Sequence, residues 1–401
     1  MNVEKVFDRE AYLRNHQDKF KPLSYRTSLW IPAGTPKPDQ GPSDAAGDSD
    51  GGDGDNKAAQ SDTAAQKKPA PRKLWRRASP MDVQLYDPAQ LAKTLSAMSE
   101  RASGMRDGER KVASLLTTLH NRPPYRRFVL NKDAPARLEG LRNCMDHFGE
   151  AIEYFQIMAH VSLNVAKAPI RITPVLLAGP PGVGKSFFAS RLAKAIGLPL
   201  FRHQMDMAST SGTLAGMDKS WASSSQGLVF NALASGSAIN PMIFLDELDK
   251  AGGRHQFDPL APLHCLLEPE TAQNFADSFI GFPIDASHIV WIATVNDVEK
   301  IDATLISRFR VIDVTQPEQV TMRRLVQEIF HDVIRRYHAQ RLINELSRDV
   351  EDRLSLLSPR EVRITLEVGV GKALLDSRSD LSVLDIQDIK TRRAMRMGFL
   401  G

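Results

Sequence analysis

The chain has 401 residues, 42% hydrophobic and 25% charged, enough to bury a core and to divide into two or three domains. Its net charge of +4 and pI of about 9.0 permit an acidic partner without requiring one. Cys144 and Cys265 are too isolated for a disulfide framework or a zinc site, no apolar run reaches the ~20 residues of a membrane span, and Met1–Lys5 does not open a signal peptide, so a cytoplasmic protein is expected. Residues 1–31 mix Phe7, Tyr12, Phe20, Tyr25 and Trp30 with charges and read as a short N-terminal element. Residues 32–80 are Gly, Ala, Asp, Ser and Pro with almost no large apolar side chain. Such a stretch cannot bury enough surface to offset its ordering entropy, and a disordered linker is expected. Its acidic part (Asp44 to Asp62) precedes a basic run, Lys67, Lys68, Arg72, Lys73, Arg76 and Arg77, around Trp75. That run reads either as a nucleic-acid grip or as a solvated tether flank.

Residues 81–165 carry apolar residues at helical spacing: Leu91, Leu95 and Met98, then Val112, Leu115, Leu116 and Leu119. Asn121-Arg122-Pro123-Pro124 interrupts, and Leu138, Leu141, Met145 and Phe148 resume the pattern toward Ile152 and Phe155. A helical N-terminal region is expected there, with His160 as a packed helix residue. Residues 166–316 then alternate strand and helix. The expected strands are Val175–Ala178, Leu200–His203, Met242–Leu245, Ile289–Val295 and Val311–Val314, short and apolar enough for a parallel sheet with helices on both faces. From 317 to 401 the pattern is helical, a small all-helical lid domain, with stretches at Met322–Ile334, Leu354–Leu375 and Val383–Met397. The fold class is therefore α/β, with a lid behind it and a helical region before it.

The chemistry centres on Gly179-Pro180-Pro181-Gly182-Val183-Gly184-Lys185-Ser186, which fits the phosphate-binding pattern G-x-x-x-x-G-K-[ST] between a strand and a helix. The glycines let backbone N–H groups face phosphates, Lys185 reaches the β- and γ-phosphates, and Ser186 can sit on Mg²⁺. The following helix, from Phe187 through Phe188, Leu192 and Ile196 to its stop at Gly197, points its positive end at the same anion. ATP and Mg²⁺ are the expected ligands. Met242–Leu245 brings Asp246 to the sheet's carboxyl end as a metal ligand, and Glu247 follows as the base that polarises water. Asn296 ends the next strand and can orient water beside the γ-phosphate. Arg308 or Arg310 can stabilise transition-state charge in a neighbouring subunit; Arg308 is favoured because Arg310 opens a strand. Arg360, near a helix start marked by Ser358-Pro359, can reach the γ-phosphate across the cleft.

This ordered set, with a helical lid, resembles an AAA+ ATPase, and within that superfamily it looks most like the ATPase module of the Lon protease family. Phe244 to Lys250 resembles the acidic strand end of that family. Asp258-Pro259, Leu266 to Glu270, Asn274-Phe275 and Asp277 resemble the stretch after it, and Phe148-Gly149-Glu150 through Pro174 resembles the approach helix. The resemblance covers about residues 140–375. It implies a ring, hexameric by the family's habit, that threads or remodels protein. It also implies that Trp221, between Ser220 and Ala222, is the pore-loop aromatic that grips the substrate chain. The family's peptidase domain would need a further ~200 residues with an activated Ser, so peptide hydrolysis is not expected in this chain, which ends at Gly401. The first 140 residues do not resemble the family's substrate domain. A nucleic-acid motor or clamp-loader-like ATPase is the alternative reading.

Overall fold

The computed structural model describes residues 77–386, apart from 208–210, 220, 222–223, 252–257, 341 and 344. The expected element 1–31, the linker 32–80 up to its last four residues, and the helix expected beyond Ile386 lie outside the described residues. Residues 77–80 fold into a turn, where the Asp82 N–H donates to the Ser79 carbonyl at 3.0 Å.

The region before the core is mostly helical, with an addition. It runs β1 (Asp82–Gln84), α1 (Pro88–Glu100), α2 (Asp107–His120) and β2 (Tyr125–Arg127). Asp87 caps α1 by accepting from the Ala89 N–H, with Pro88 at the first helical position where its missing N–H costs nothing. β1 and β2 pair antiparallel, a small sheet that the sequence pattern did not announce. Strands of three residues are too short to show a period of two. Next come α3 (Ala134–Cys144) and α4 (Gly149–His160), the latter running on into a π-helical turn at Val161–Ala166.

The core follows as β3 (Val175–Ala178), α5 (Lys185–Ile196), β4 (Leu200–Gln204), α6 (Gly212–Ala215), α7 (Leu228–Ser235) and β5 (Met242–Asp246). Then come α8 (Leu263–Leu266), α9 (Pro269–Ala272), the small antiparallel pair β6 (Phe275–Ala276) and β7 (Pro283–Ile284), β8 (Val290–Val295), α10 (Ala303–Ile306) and β9 (Arg310–Asp313). The main sheet is parallel in the order β4-β5-β8-β3-β9, which places β3, β5 and β8 inside it. Alternation along each strand divides the core between its faces. Val175, Leu177, Phe244 and Ile292 pack with α3, α4 and α5, whereas Leu176, Ile243, Trp291 and Val295 pack with α1, α2 and α7. The rings of Phe148 and Phe188 stack at 4.1 Å between centroids and tie the approach helix to α5.

Three helices close the described chain: α11 (Gln319–Arg336), α12 (Arg348–Leu354) and α13 (Pro359–Leu375). Leu325, Val326, Ile329 and Val333 on α11 are buried with Val362, Leu366 and Val370 on α13. The helix expected to run from Leu354 begins only at Pro359. Ser358 caps it by a reciprocal pair with Glu361, whose carboxylate accepts the Ser358 N–H at 2.9 Å.

Candidate nucleotide site

β3 and β5 lie on either side of β8, so the carboxyl ends of the three strands deliver Gly179, Asp246 and Asn296 to one place. The turn after β3 needs its glycines. A Cβ on Gly179 would strike the Val314 carbonyl oxygen, and Gly184 holds φ +99° just before α5. Lys185 is the first residue of α5 and is buried. Its Nζ donates to the carbonyls of Gly179 and Pro180 and, at 2.9 Å, to Asn296 Oδ1. Burial draws the ammonium's pKa below its ordinary value, while the carboxylates of Asp249, Asp246 and Glu247 work the other way. Lys185 is thus a cation held by backbone oxygens, and a phosphate can replace them. Lys185→Ala is expected to weaken MgATP binding by more than about tenfold, from loss of charged hydrogen bonds worth ~1.5–3 kcal/mol. Equilibrium binding measures it, and unchanged affinity would remove the phosphate-loop assignment.

Asp246 is gripped from both sides. Ser186 Oγ donates to Oδ2 at 2.8 Å, and Thr294 Oγ1 donates to Oδ1 at 2.6 Å. Thr294 also accepts the Glu247 N–H at 2.9 Å, so one buried hydroxyl orients both acidic residues. No sequence signal marked Thr294; its position two residues before Asn296 on an inner strand is the trace it leaves. Glu247 adopts the left-handed conformation, φ 57° and ψ 53°, which is costly for a residue with a Cβ and turns its side chain out of the strand. Its Oε1 lies 2.7 Å from Lys250 Nζ. Asp249 Oδ1 is buried with no hydrogen-bond partner. The donors here are oxygens from one hydroxyl and neighbouring carboxylates, a set that fits a hard divalent cation completed by phosphates and water. Among the described residues no group of three or more His, Cys, Asp or Glu side chains is placed to hold a metal ion.

From beneath, residues 145–149 support the loop. His147 Nε2 is 3.2 Å from the Val183 carbonyl oxygen, consistent with the tautomer that donates there, and Nδ1 is buried without a partner. Burial pulls this imidazole below its usual pKa, against the Val183 bond and Asp146. From above, Ser358 and Pro359 stand against Gly182 and Gly184. Arg360 is exposed on the first turn of α13, whereas Arg363 lines a cleft of about 470 Å³ with Ser186 and Phe187. Sequence spacing pointed to the first of these arginines; the helix surface turns the second toward the loop.

Two further arginines part company. Arg308 folds back within the chain, donating to the Thr304 carbonyl and lying 3.0 Å from Glu268 Oε1 through Nε, off line for a hydrogen bond. Arg310 is bound to Glu150 at 3.1 Å and covers the Tyr154 ring at 5.0 Å.

Trp221 lies away from the phosphate loop in sequence and stands 52% exposed. Its N–H donates to Asp218 and its carbonyl accepts from Ser224, while Met217 N–H meets the Ser225 carbonyl at 3.0 Å across the loop's base. Ser220, Ala222 and Ser223 lie outside the described residues. Fully buried Asp277 anchors that base, accepting the N–H groups of Gly227 at 2.7 Å, Phe279 and Ile280, next to Gly216. Burial raises its carboxyl pKa, and those N–H bonds oppose the rise. The far end of α7 is gripped by the N-terminal region. Arg126, buried, donates to the carbonyls of Leu233 and Ala234, and Arg122 donates to Ala234 and Ser235. These guanidiniums occupy the negative end of the helix.

The family model for AAA, the ATPases associated with various cellular activities, matches residues 175–316. Residues 175–316 are similar to an AAA module. Sequence relatives of the module are Lon proteases. A peroxisomal Lon protease homolog 2 of Arabidopsis thaliana is 31% identical over 189 residues, 46% of this chain and 21% of that protein. The Pichia angusta homolog 2 is 38% identical over 151 residues, 37% of this chain and 16% of that protein. With the Zea mays homolog 2 the match extends over 354 residues at 25% identity, 81% of this chain and 39% of that protein. The chain thus spans well under half the length of these curated relatives. Among solved structures, Hsp104 in a closed state with ATPyS and FITC casein superposes with a TM-score of 0.51 at 14% identity, over 74% of this chain and 59% of that one, which shows the shared fold. The AAA module accounts for the parallel sheet and for the Lon-like resemblance of the sequence. No helix among the described residues is long and apolar enough to cross a membrane.

Proposed function

We propose that this chain hydrolyses ATP to ADP and phosphate in a Mg²⁺-dependent reaction, and works in a cytoplasmic homo-oligomeric ring, a hexamer, that remodels or threads protein substrates. The observation that carries the reading is the bonded series Ser186–Asp246–Thr294–Glu247 beside Lys185, at the carboxyl end of a parallel sheet. Lys185 leaves its carbonyl partners for the β- and γ-phosphate oxygens, and Ser186 and Asp246 are the residues that would hold the metal. That cation, when bound, neutralises charge gathering on the phosphoryl oxygens. Glu247 takes the proton of the attacking water, and Asn296, freed when Lys185 turns to phosphate, orients that water. The backbone N–H groups of Gly179 to Ser186 supply further fixed positive dipoles, with Phe187 behind them on α5. Arg308 leaves Glu268 to serve a neighbour's phosphate. Arg363, with its neighbour Arg360 at the helix start, supplies the lid's positive charge over the loop.

The substrate side rests on Trp221, held on a braced loop base by Asp277 and joined by α7 to the core. A polypeptide is favoured over nucleic acid because the sequence relatives of residues 175–316 are Lon proteases. Trp221→Ala is expected to abolish the part of ATP turnover that an unfolded protein stimulates, with a melting temperature close to wild type. A half-exposed ring leaves no core cavity behind, whereas truncating a buried Trp costs ~3–5 kcal/mol. Stimulation that persists, or a large drop in melting temperature, would end the gripping role.

A further inference from the structure

Phe187 follows Ser186 directly, and two guanidiniums flank its ring. Arg191 of α5 has its Cζ 5.0 Å from the ring centroid, and Arg363 of α13 has its Cζ 5.4 Å away. Both arginines point to one carboxylate on the lid helix α11. Arg191 Nη2 donates to Asp332 Oδ2 at 2.8 Å and to Glu328 Oε2 at 3.2 Å. Arg363 Nη2 approaches the same Asp332 Oδ2 only to 3.8 Å, and Arg335 reaches Asp332 Oδ1 at the same distance. Asp332 therefore serves three arginines, while Arg191 has a second carboxylate, Glu328, which it shares only with the Cys144 thiol among the described residues.

This inequality decides which group can leave. Arg191 is anchored twice, so the hinge between α5 and α11 survives the loss of either carboxylate. Arg363 has one long ion pair and one ring face, and it opens onto the same cleft as Ser186. A planar guanidinium prefers a bidentate anion to a shared carboxylate at 3.8 Å. A triphosphate seated beside Ser186 offers such an anion.

We infer that Asp332 is a positioning residue that competes with phosphate for Arg363, latching it over Phe187 and surrendering it to a bound triphosphate. The inference rests on the nucleotide reading of the Lys185–Ser186 loop and adds the competitor that sets the lid's readiness. Phe187 is the pivot, a ring face common to the arginine that stays and the one that leaves. The latch weakens ATP binding by the strength of the Arg363–Asp332 pair, which is partly exposed and so modest.

The test uses the full chain with MgATP as the probe. Asp332→Asn keeps the shape, leaves Arg191 on Glu328, and is expected to tighten MgATP binding roughly threefold to fivefold. A purely structural residue would not give a gain when replaced. In an Arg363→Gln background the same change is expected to give no gain. Unchanged or weaker binding in Asp332→Asn, or a gain that persists without Arg363, would overturn the proposal. Hydrogen exchange without nucleotide reads the latch separately. The first turns of α13, residues 359–366, are expected to exchange faster in Asp332→Asn, and unchanged protection there would also overturn it. Failure of the wild-type chain to bind MgATP would instead remove the nucleotide reading, and with it the exchange of Asp332 for phosphate.

Discussion

Glu247→Gln is expected to bind MgATP as the wild type does and to lose turnover by about 10²–10⁴-fold, the usual contribution of a positioned base. The amide keeps the size of the carboxylate but cannot accept the proton. The change leaves Asp246 with Ser186 and Thr294, so its carboxylate keeps its orientation. It also leaves the strained backbone at Glu247, held by the Thr294 hydroxyl, in place. Lys250 now neutralises the Glu247 carboxylate across 2.7 Å, a half-exposed pair that hydrolysis must open. The measurement is phosphate release beside a binding isotherm on the same sample. Turnover at the wild-type rate would show that another group takes the proton.

Arg308→Ala is expected to leave ATP binding by each subunit intact and to slow hydrolysis in the assembly by ~10³–10⁵-fold, the range for an arginine supplied in trans. Within one chain this guanidinium lies against Glu268 and the Thr304 carbonyl, not in the cleft beside Ser186. The proposed ring places its charge at a partner's site. Mixing separates cis from trans. Lys185→Ala subunits are expected to bind ATP poorly yet present an intact Arg308, so mixtures with Arg308→Ala subunits are expected to regain part of the activity. Mixtures as inactive as their components would place Arg308 in cis. Arg310→Ala is the contrast, because that side chain is committed to Glu150 and the Tyr154 ring. Its loss is expected to cost stability of about 0.2–1 kcal/mol and little turnover.

Much of this site was legible along the chain because its determinants are local. A strand, a glycine turn and a helix occupy 175–196 in unbroken order, and each expected core strand lies within a residue of the observed one at either end. Apolar runs between turn signals report burial on both faces of a sheet without knowledge of the neighbours. Asp246-Glu247 and Asn296 stand at strand ends, where an open parallel sheet must place its ligand. The short pairs β1–β2 and β6–β7 were not legible, since two or three residues carry no period.

By itself, then, the sequence determined the α/β class, the glycine turn between strand and helix, the acidic pair at a strand end and the helices after the core, all read from spacing within single segments. Only the tertiary structure shows what each arginine meets. Arg308, Arg310, Arg360 and Arg363 look alike in sequence, and their partners, Glu268, Glu150, solvent and Asp332, lie on other segments or in none. It likewise chose Thr294 as the hydroxyl that orders both acids, across 47 and 48 positions of chain. Periodicity records which face a residue turns inward. What it meets there is set by how the strands and helices pack, and that choice is not written in any one of them.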